Sequence, residues 1–203
     1  MTNFTYSRVY FIFSCFLALC STNVQAGVII RLATEADIPA CVKLATQVAR
    51  DVYKPITQKV SKVKKSIFRQ GMLFVAEDDE SRTVVGCMLV NNFFTVDYSD
   101  KENRAKFIAF VKKPITPGID VSSIFLSKVY VDAACRGKGI GKKMMLSLTT
   151  FFPDVKKIYL NTYAANAQAI RFYSGLGFKE LFRVNEGKPR EWIALGIDAE
   201  ALQ

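Results

Sequence analysis

Residues 129–143 read Val-Tyr-Val-Asp-Ala-Ala-Cys-Arg-Gly-Lys-Gly-Ile-Gly-Lys-Lys, so Gly137, Gly139 and Gly141 fall at alternate positions among Arg136, Lys138 and Lys142. A β-rich run precedes this turn and an apolar helical pattern follows it. Glycines spaced in this way let backbone N–H groups come close to an anion. The positive end of the following helix and the cationic side chains add to the attraction. The chemistry that suits such a turn is the cradling of a pyrophosphate. It is not a P-loop, which needs Gly where Arg136 stands and Ser or Thr where Lys143 stands. It is not a dinucleotide fingerprint either, because Gly-x-Gly-x-x-Gly counted from Gly137 ends on Lys142. What remains is Arg-x-x-Gly-x-Gly, which by itself is equally compatible with a tight turn and no ligand.

The composition narrows the chemistry further. The chain of 203 residues contains no histidine. Ser-His-Asp and Cys-His nucleophile systems, His-ligated zinc and a His general base are therefore excluded. Proton transfer must fall to carboxylates, Tyr, Lys, Cys or water. Half of the residues are apolar and 23% are charged, which describes a folded chain with a sizeable core. With 28 Lys and Arg against 18 Asp and Glu, the formal net charge is +10. That balance suits a polyanionic partner and equally serves solubility. The basic stretch Lys59–Arg69 has Val60, Val63 and Ile67 at helical spacing and reads as the solvated face of an amphipathic helix.

The elements that must position the turn follow from periodicity. Val28–Leu32 is a strand. Thr34 caps a helix whose stripe is Ile38, Cys41, Val42, Ala45, Val48, Ala49 and Val52, and a second helix covers about 57–69. Met72–Ala76 and Thr83–Phe94 form a hairpin around Asp78-Asp79-Glu80. Ser123–Asp132 is a strand. Ile140–Phe152 is a helix stopped by Pro153, with Ile140, Met144, Met145, Leu148 and Phe152 on one side. Lys157–Thr162 is a strand, Asn166 caps another helix that ends near Gly175 and Gly177, and Phe178–Val184 and Arg190–Ile197 close the fold. Strands that first pair locally and then alternate with helices predict a mixed α/β (α+β) sheet with helices on both faces, in one domain spanning 27–203.

One strand–helix unit beyond the Gly-rich turn stands Asn166-Ala-Gln-Ala169-Ile-Arg-Phe172-Tyr173-Ser-Gly-Leu-Gly177-Phe178. Arg-x-x-Gly-x-Gly followed by Asn-x-x-Ala-x-x-Phe-Tyr-x-x-x-Gly-Phe, on these elements and in this order, strongly resembles the GNAT acetyltransferase superfamily over about residues 28–197. The resemblance implies a mixed, mostly antiparallel sheet whose two central parallel strands splay apart to admit acetyl-CoA as cosubstrate. It implies that Val129 and Val131 offer backbone groups to the pantetheine arm. Arg136, Gly137, Lys138, Gly139, Ile140, Gly141 and Lys142 would hold the pyrophosphate. Asn166 would contact the pantetheine, and Ala169 would leave room for it. The backbone of Val129 or Tyr130 would polarise the thioester carbonyl, and Tyr173 would protonate the departing thiolate. Phe172 reads as core.

The implied partners are acetyl-CoA and an amine acceptor, small molecule or protein, with no metal and no nucleic acid; the acceptor and the oligomeric state are not readable. An acyl-CoA-binding module without catalysis is the alternative. Many family members carry a carboxylate base on the strand before the turn. Here Leu126-Ser-Lys128-Val-Tyr130 has none before Asp132, and Glu186, Glu191, Asp97 or water are the remaining candidates. Residues 1–26, with Arg8 ahead of the apolar run Val9–Cys20 and with Ala26 at the cut, read as a signal peptide. Export to the periplasm or outside is the expectation, with the cytoplasm as the alternative. Cys41, Cys87 and Cys135 remain in the mature chain and suggest no disulfide framework. Residues 95–121 are expected to carry a helix near Lys101–Lys113 that walls the acceptor pocket.

Overall fold

The computed structural model describes residues 27–53, 71–92, 122–187 and 191–202. The expected signal peptide, the basic helix near 57–69 and the segment 95–121 lie outside them. Seven strands form one sheet in the order β1-β2-β3-β4-β5-β7-β6. They are β1 (Val28–Leu32), β2 (Met72–Asp78), β3 (Val84–Asn92), β4 (Ser123–Val131), β5 (Lys157–Tyr163), β6 (Lys179–Val184) and β7 (Trp192–Asp198). Every neighbouring pair is antiparallel except β4 and β5, which run parallel. The α-helices among the described residues are α1 (Ile38–Val48), α2 (Ile140–Phe151) and α3 (Ala167–Gly175).

Strand alternation divides the apolar residues between the two faces of the sheet. On one face, Phe74, Ala76, Met88, Val90, Ile124, Leu126, Ile158 and Leu160 pack with Ile140, Met144, Met145 and Leu148 of α2 and with Tyr173 of α3. On the other, Leu73, Val75, Cys87, Leu89 and Tyr130 pack with Ile38, Cys41, Leu44, Ala45 and Val48 of α1. Helices on both faces are what the element order predicts.

Some boundaries differ from the sequence reading. Leu44 is buried in α1 while Val42 is only half-buried, so the stripe sits slightly rotated from the one read off the spacing. Helix α2 stops at Phe151 because Phe152 leaves helical geometry ahead of Pro153. Asp132 is a cap rather than a strand residue: its carboxylate accepts the Ala134 N–H at 2.9 Å.

The start of α1 is fastened by charge. The guanidinium of Arg31 on β1 donates to both oxygens of Asp37 at 2.8 and 2.9 Å, and its Nε donates to Glu77 of β2 at 2.8 Å. Arg82, from the β2–β3 turn, reaches Glu77 from the other side at 3.1 Å. The Thr34 amide and hydroxyl also donate to Asp37, at 2.7 and 2.9 Å. Asp37 and Glu77 are both buried, so the bonds from Arg31, Arg82 and Thr34 compensate a burial that would otherwise be costly.

The Arg31 guanidinium is the main reason the Asp37 carboxyl is held down to about 2. A depressed carboxylate pKa stabilises the fold above its unfolded value and ceases to do so as pH falls through the folded one. Asp37→Asn should therefore lose about 2 kcal/mol at pH 7. It should also flatten the fall in stability between about pH 4 and pH 2. Urea unfolding across that range measures both effects.

Candidate active site at the fork of the sheet

Parallel pairing between β4 and β5 runs from Ser123↔Lys157 to Leu126↔Leu160 and stops there. Beyond that point β4 stays paired to β3 through Lys128, Val129, Tyr130 and Val131, while β5 stays paired to β7 through Asn161, Thr162 and Tyr163. The sheet therefore forks between β4 and β5. At the same level β4 is bulged: Lys128 pairs with Leu89 but Leu126 pairs with Val90, which leaves Ser127 as an extra residue. A bulge bends and twists its strand, and here it turns β4 away from β5. It also shifts the side-chain alternation by one. Ile124 and Leu126 lie on the α2/α3 face, as do Val129 and Val131 after the bulge, and Lys128 and Tyr130 are thereby moved to the α1 face.

The same ladder orients the backbone. Asp132 N–H donates to the Val85 carbonyl at 2.9 Å, so it points toward β3. By alternation Tyr130 also directs its backbone toward β3, while Val129 and Val131 direct theirs into the fork. The Val131 carbonyl confirms this for its own position, because it accepts from Nε of Arg136 at 3.2 Å. Of the three β4 residues named from sequence, Val129 and Val131 therefore edge the fork. Tyr130 does not; it is buried against α1.

The Gly-rich turn closes the wide end of the fork. Gly137 and Gly139 both have φ of 77°, a left-handed backbone that L side chains adopt at a cost, and a Cβ at either would meet open space. Gly139 is the N-cap of α2 and contributes no side chain, so the first-turn N–H groups of Ile140, Gly141 and Lys142 face outward without a capping oxygen. Lys138 and Lys142 are exposed beside them. Gly141 has a different reason to be glycine: a Cβ there would lie 3.1 Å from the Phe172 ring of α3. Arg136 braces the turn through Val131. Lys143 is drawn away from it and donates to the Val28 carbonyl at 2.7 Å.

Helix α3 flanks the fork on the α2 side. Its Tyr173 is buried and packs edge-on against Phe172 and Phe178, with ring centroids 5.0 and 5.5 Å apart. Asn166 accepts the Ala169 N–H at 3.2 Å and so caps α3; Ala169 is half-buried against the core. Among the hairpin carboxylates considered as a base, Glu191 is engaged. It accepts from Arg183 at 2.6 Å and from the Gly187 N–H at 3.0 Å, and Arg183 holds its carboxyl below the usual range. Glu186 is exposed, and Asp97 lies outside the described residues.

Two polar groups sit on the α1 face of β3 and β4 near this level. Asn91 of β3 is opposite Phe125 and buried; its Oδ1 lies over Gly71, just ahead of β2, where a Cβ would collide with it, and has no hydrogen-bond partner among the described residues. Lys128 is half-buried, and desolvation pushes its ammonium below the ordinary lysine value. Asn91 escaped the sequence reading. Its only signal there was an amide ending the otherwise apolar run Cys87–Val90.

The chain matches the model of the acetyltransferase (GNAT) family over residues 42–178. It is 36% identical over 59 residues to the spermine/spermidine N(1)-acetyltransferase of Bacillus subtilis, a stretch that covers 28% of this chain and 39% of that relative. Its fold is similar to the ribosomal-protein-alanine N-acetyltransferase of Brucella melitensis, with TM-score 0.57 and 22% identity, covering 84% of this chain and 99% of that one. It is also similar to YncA of Salmonella typhimurium, solved with its cofactor acetyl-CoA, with TM-score 0.56 and 16% identity over 86% and 95% of the two chains.

The capping role of Asn166 has a measurable consequence. Asn166→Ala should cost about 1 kcal/mol in urea unfolding, whereas Asn166→Ser, which still offers a capping oxygen, should recover most of it.

Proposed function

Because the chain belongs to the GNAT acetyltransferase family, we propose that it transfers the acetyl group of acetyl-CoA to a primary amine by direct attack on the thioester. The observation that carries this reading is the fork itself. An open β4 edge leads directly into a glycine turn and an uncapped helix start, which suits an extended chain ending in a pyrophosphate. Val129 and Val131 supply the backbone groups for the pantetheine arm. Gly137, Gly139 and the first turn of α2 supply N–H groups for the pyrophosphate, with Lys138 and Lys142 as counter-charge. Arg136 contributes mainly by holding the turn against Val131.

Attack forms a tetrahedral intermediate whose collapse expels a thiolate. Phenols are protonated at neutral pH, so Tyr173 can donate to that sulfur. The N–H of Val129, directed into the fork, is the backbone donor available to the developing oxyanion. The match to the spermine/spermidine enzyme covers too little of either chain to carry its acceptor across. A panel of polyamines, amino acids and peptides incubated with radiolabelled acetyl-CoA identifies the acceptor. We further propose that residues 1–26 direct export and are removed. N-terminal sequencing from the native host should read from Gly27; a retained Met1 overturns this.

Gly139→Glu should abolish acetyl-CoA binding in calorimetry while the circular dichroism stays native. The substitution combines a strained φ with a carboxylate in the phosphate site; undiminished affinity in the folded variant refutes the cradle. Tyr173→Phe should lower kcat by about 10- to 1000-fold with acetyl-CoA affinity kept. Wild-type turnover in that variant would leave Tyr173 a packing residue. A wild-type chain that binds acetyl-CoA but acetylates no amine is a binding module.

A further inference from the structure

Among the described residues, no carboxylate is placed at the fork to take the proton of the attacking nitrogen. Strand β4 offers no carboxylate before Asp132, and Glu191 is bonded to Arg183. The carboxylates Asp51 and Asp132 line a cavity of about 630 Å³ with Lys43 and Arg50, and Lys128 does not border it. Resting on the transferase reading, we propose that Lys128 is the proton acceptor of the reaction.

The placement argues for this. The Ser127 bulge puts Lys128 on the α1 face, next to the point where β4 and β5 part. Tyr173 of α3 lies in the core on the opposite face of the sheet. A thioester lying in the fork would thus have a proton donor for sulfur on one side and a proton acceptor for nitrogen on the other. Without the bulge, Lys128 would share a face with Leu126 and Tyr173.

Lys128 has no carboxylate partner among the described residues, and burial favours its neutral form, the form that accepts a proton. The other titratable groups on this face are Asp37 and Glu77, both held by Arg31 at the β1–β2 end, together with Cys41 of α1, Cys87 of β3, Tyr130 of β4 and Tyr159 of β5. Cys41 and Cys87 bond one another, which lowers the Cys41 thiol and raises Cys87, and burial raises Cys87 further.

The step balances. The amine lone pair forms the N–C bond and the carbonyl π pair moves to oxygen. The nitrogen, made acidic by bond formation, gives one proton to Nζ of Lys128. The oxyanion then re-forms the carbonyl, the C–S bond breaks, and sulfur takes the proton of Tyr173. Solvent takes the proton from Lys128 and reprotonates Tyr173, leaving an amide and free CoA thiol.

The test compares wild type with Lys128→Met and Lys128→Arg. Lys128→Met keeps the apolar stem in a buried position, and Lys128→Arg keeps a charge that cannot be lost near neutral pH. The pH profile of kcat/KM is measured with an alkyl primary amine from the acceptor panel and expressed per neutral amine, so that the amine's own ionisation does not contribute, and acetyl-CoA affinity is measured by calorimetry. Both variants should bind acetyl-CoA as wild type does and lose about 100-fold or more in kcat/KM. The acid limb of the wild-type profile should be absent from both. Hydroxylamine, a weakly basic nucleophile, should lose much less in the same variants. A Lys128→Arg enzyme as active as wild type overturns the proposal in favour of a fixed charge. An unchanged acid limb in Lys128→Met overturns it outright. If the wild-type protein binds acetyl-CoA and acetylates nothing, the transferase reading itself falls, and the base falls with it.

Discussion

A single extra residue in β4 governs the arrangement of the site. Ser127 has no partner in β3, and the parallel ladder to β5 ends at the residue before it. A regular β4 would continue to pair with β5 through Lys128 and Val131, which would leave no free strand edge and no gap for an extended ligand. It would also keep Lys128 on the face it shares with Leu126. The bulge therefore opens the fork and sorts the side chains around it. Its cost is the loss of β4–β5 backbone bonds from Ser127 onward, groups that water, another chain or a ligand then takes up.

The glycines divide along the same line. Gly137 and Gly139 are needed for a backbone with φ of 77° around an empty space. Gly141 is needed because α3 lies against the start of α2 with the Phe172 ring 3.1 Å from where its Cβ would be. Three glycines that look equivalent in sequence thus meet two demands, a left-handed turn and a helix–helix contact. The second fixes α3, and with it Tyr173, to the helix that the turn opens.

Most of the fold was legible in the sequence because periodicity is strong in β2, β3, α1 and α2, and because Asn166, Pro153 and the Gly-rich turn punctuate the chain. The two motifs that carry the family resemblance were legible for the same reason: they are local. The apolar positions of β4 even record the bulge, since Ile124 and Leu126 fall out of phase with Val129 and Val131 by one residue. What could not be read was that Lys128 pairs with Leu89 on the α1 face, which only the register of β3 against β4 decides. Likewise, Arg136 looks like a phosphate ligand in the motif, and its bond to Val131 becomes visible only once the turn is built.

The α1 face carries polar groups at both of its ends, and the contrast between them separates scaffold from site. At the β1–β2 end, Asp37 and Glu77 are buried but saturated: Arg31 bridges them, Arg82 takes the remaining Glu77 oxygen, and Thr34 donates twice to Asp37. Nothing at that end needs a ligand. At the β4 end, Asn91 Oδ1 is buried without a donor, and Lys128 is desolvated without a carboxylate among the described residues. The same face thus pays for polarity twice, once with full compensation and once without. Uncompensated polarity at the β4 end costs stability. In the transferase proposal it is Lys128 there that would meet the reacting amine, whereas the saturated cluster at the β1–β2 end serves the fold.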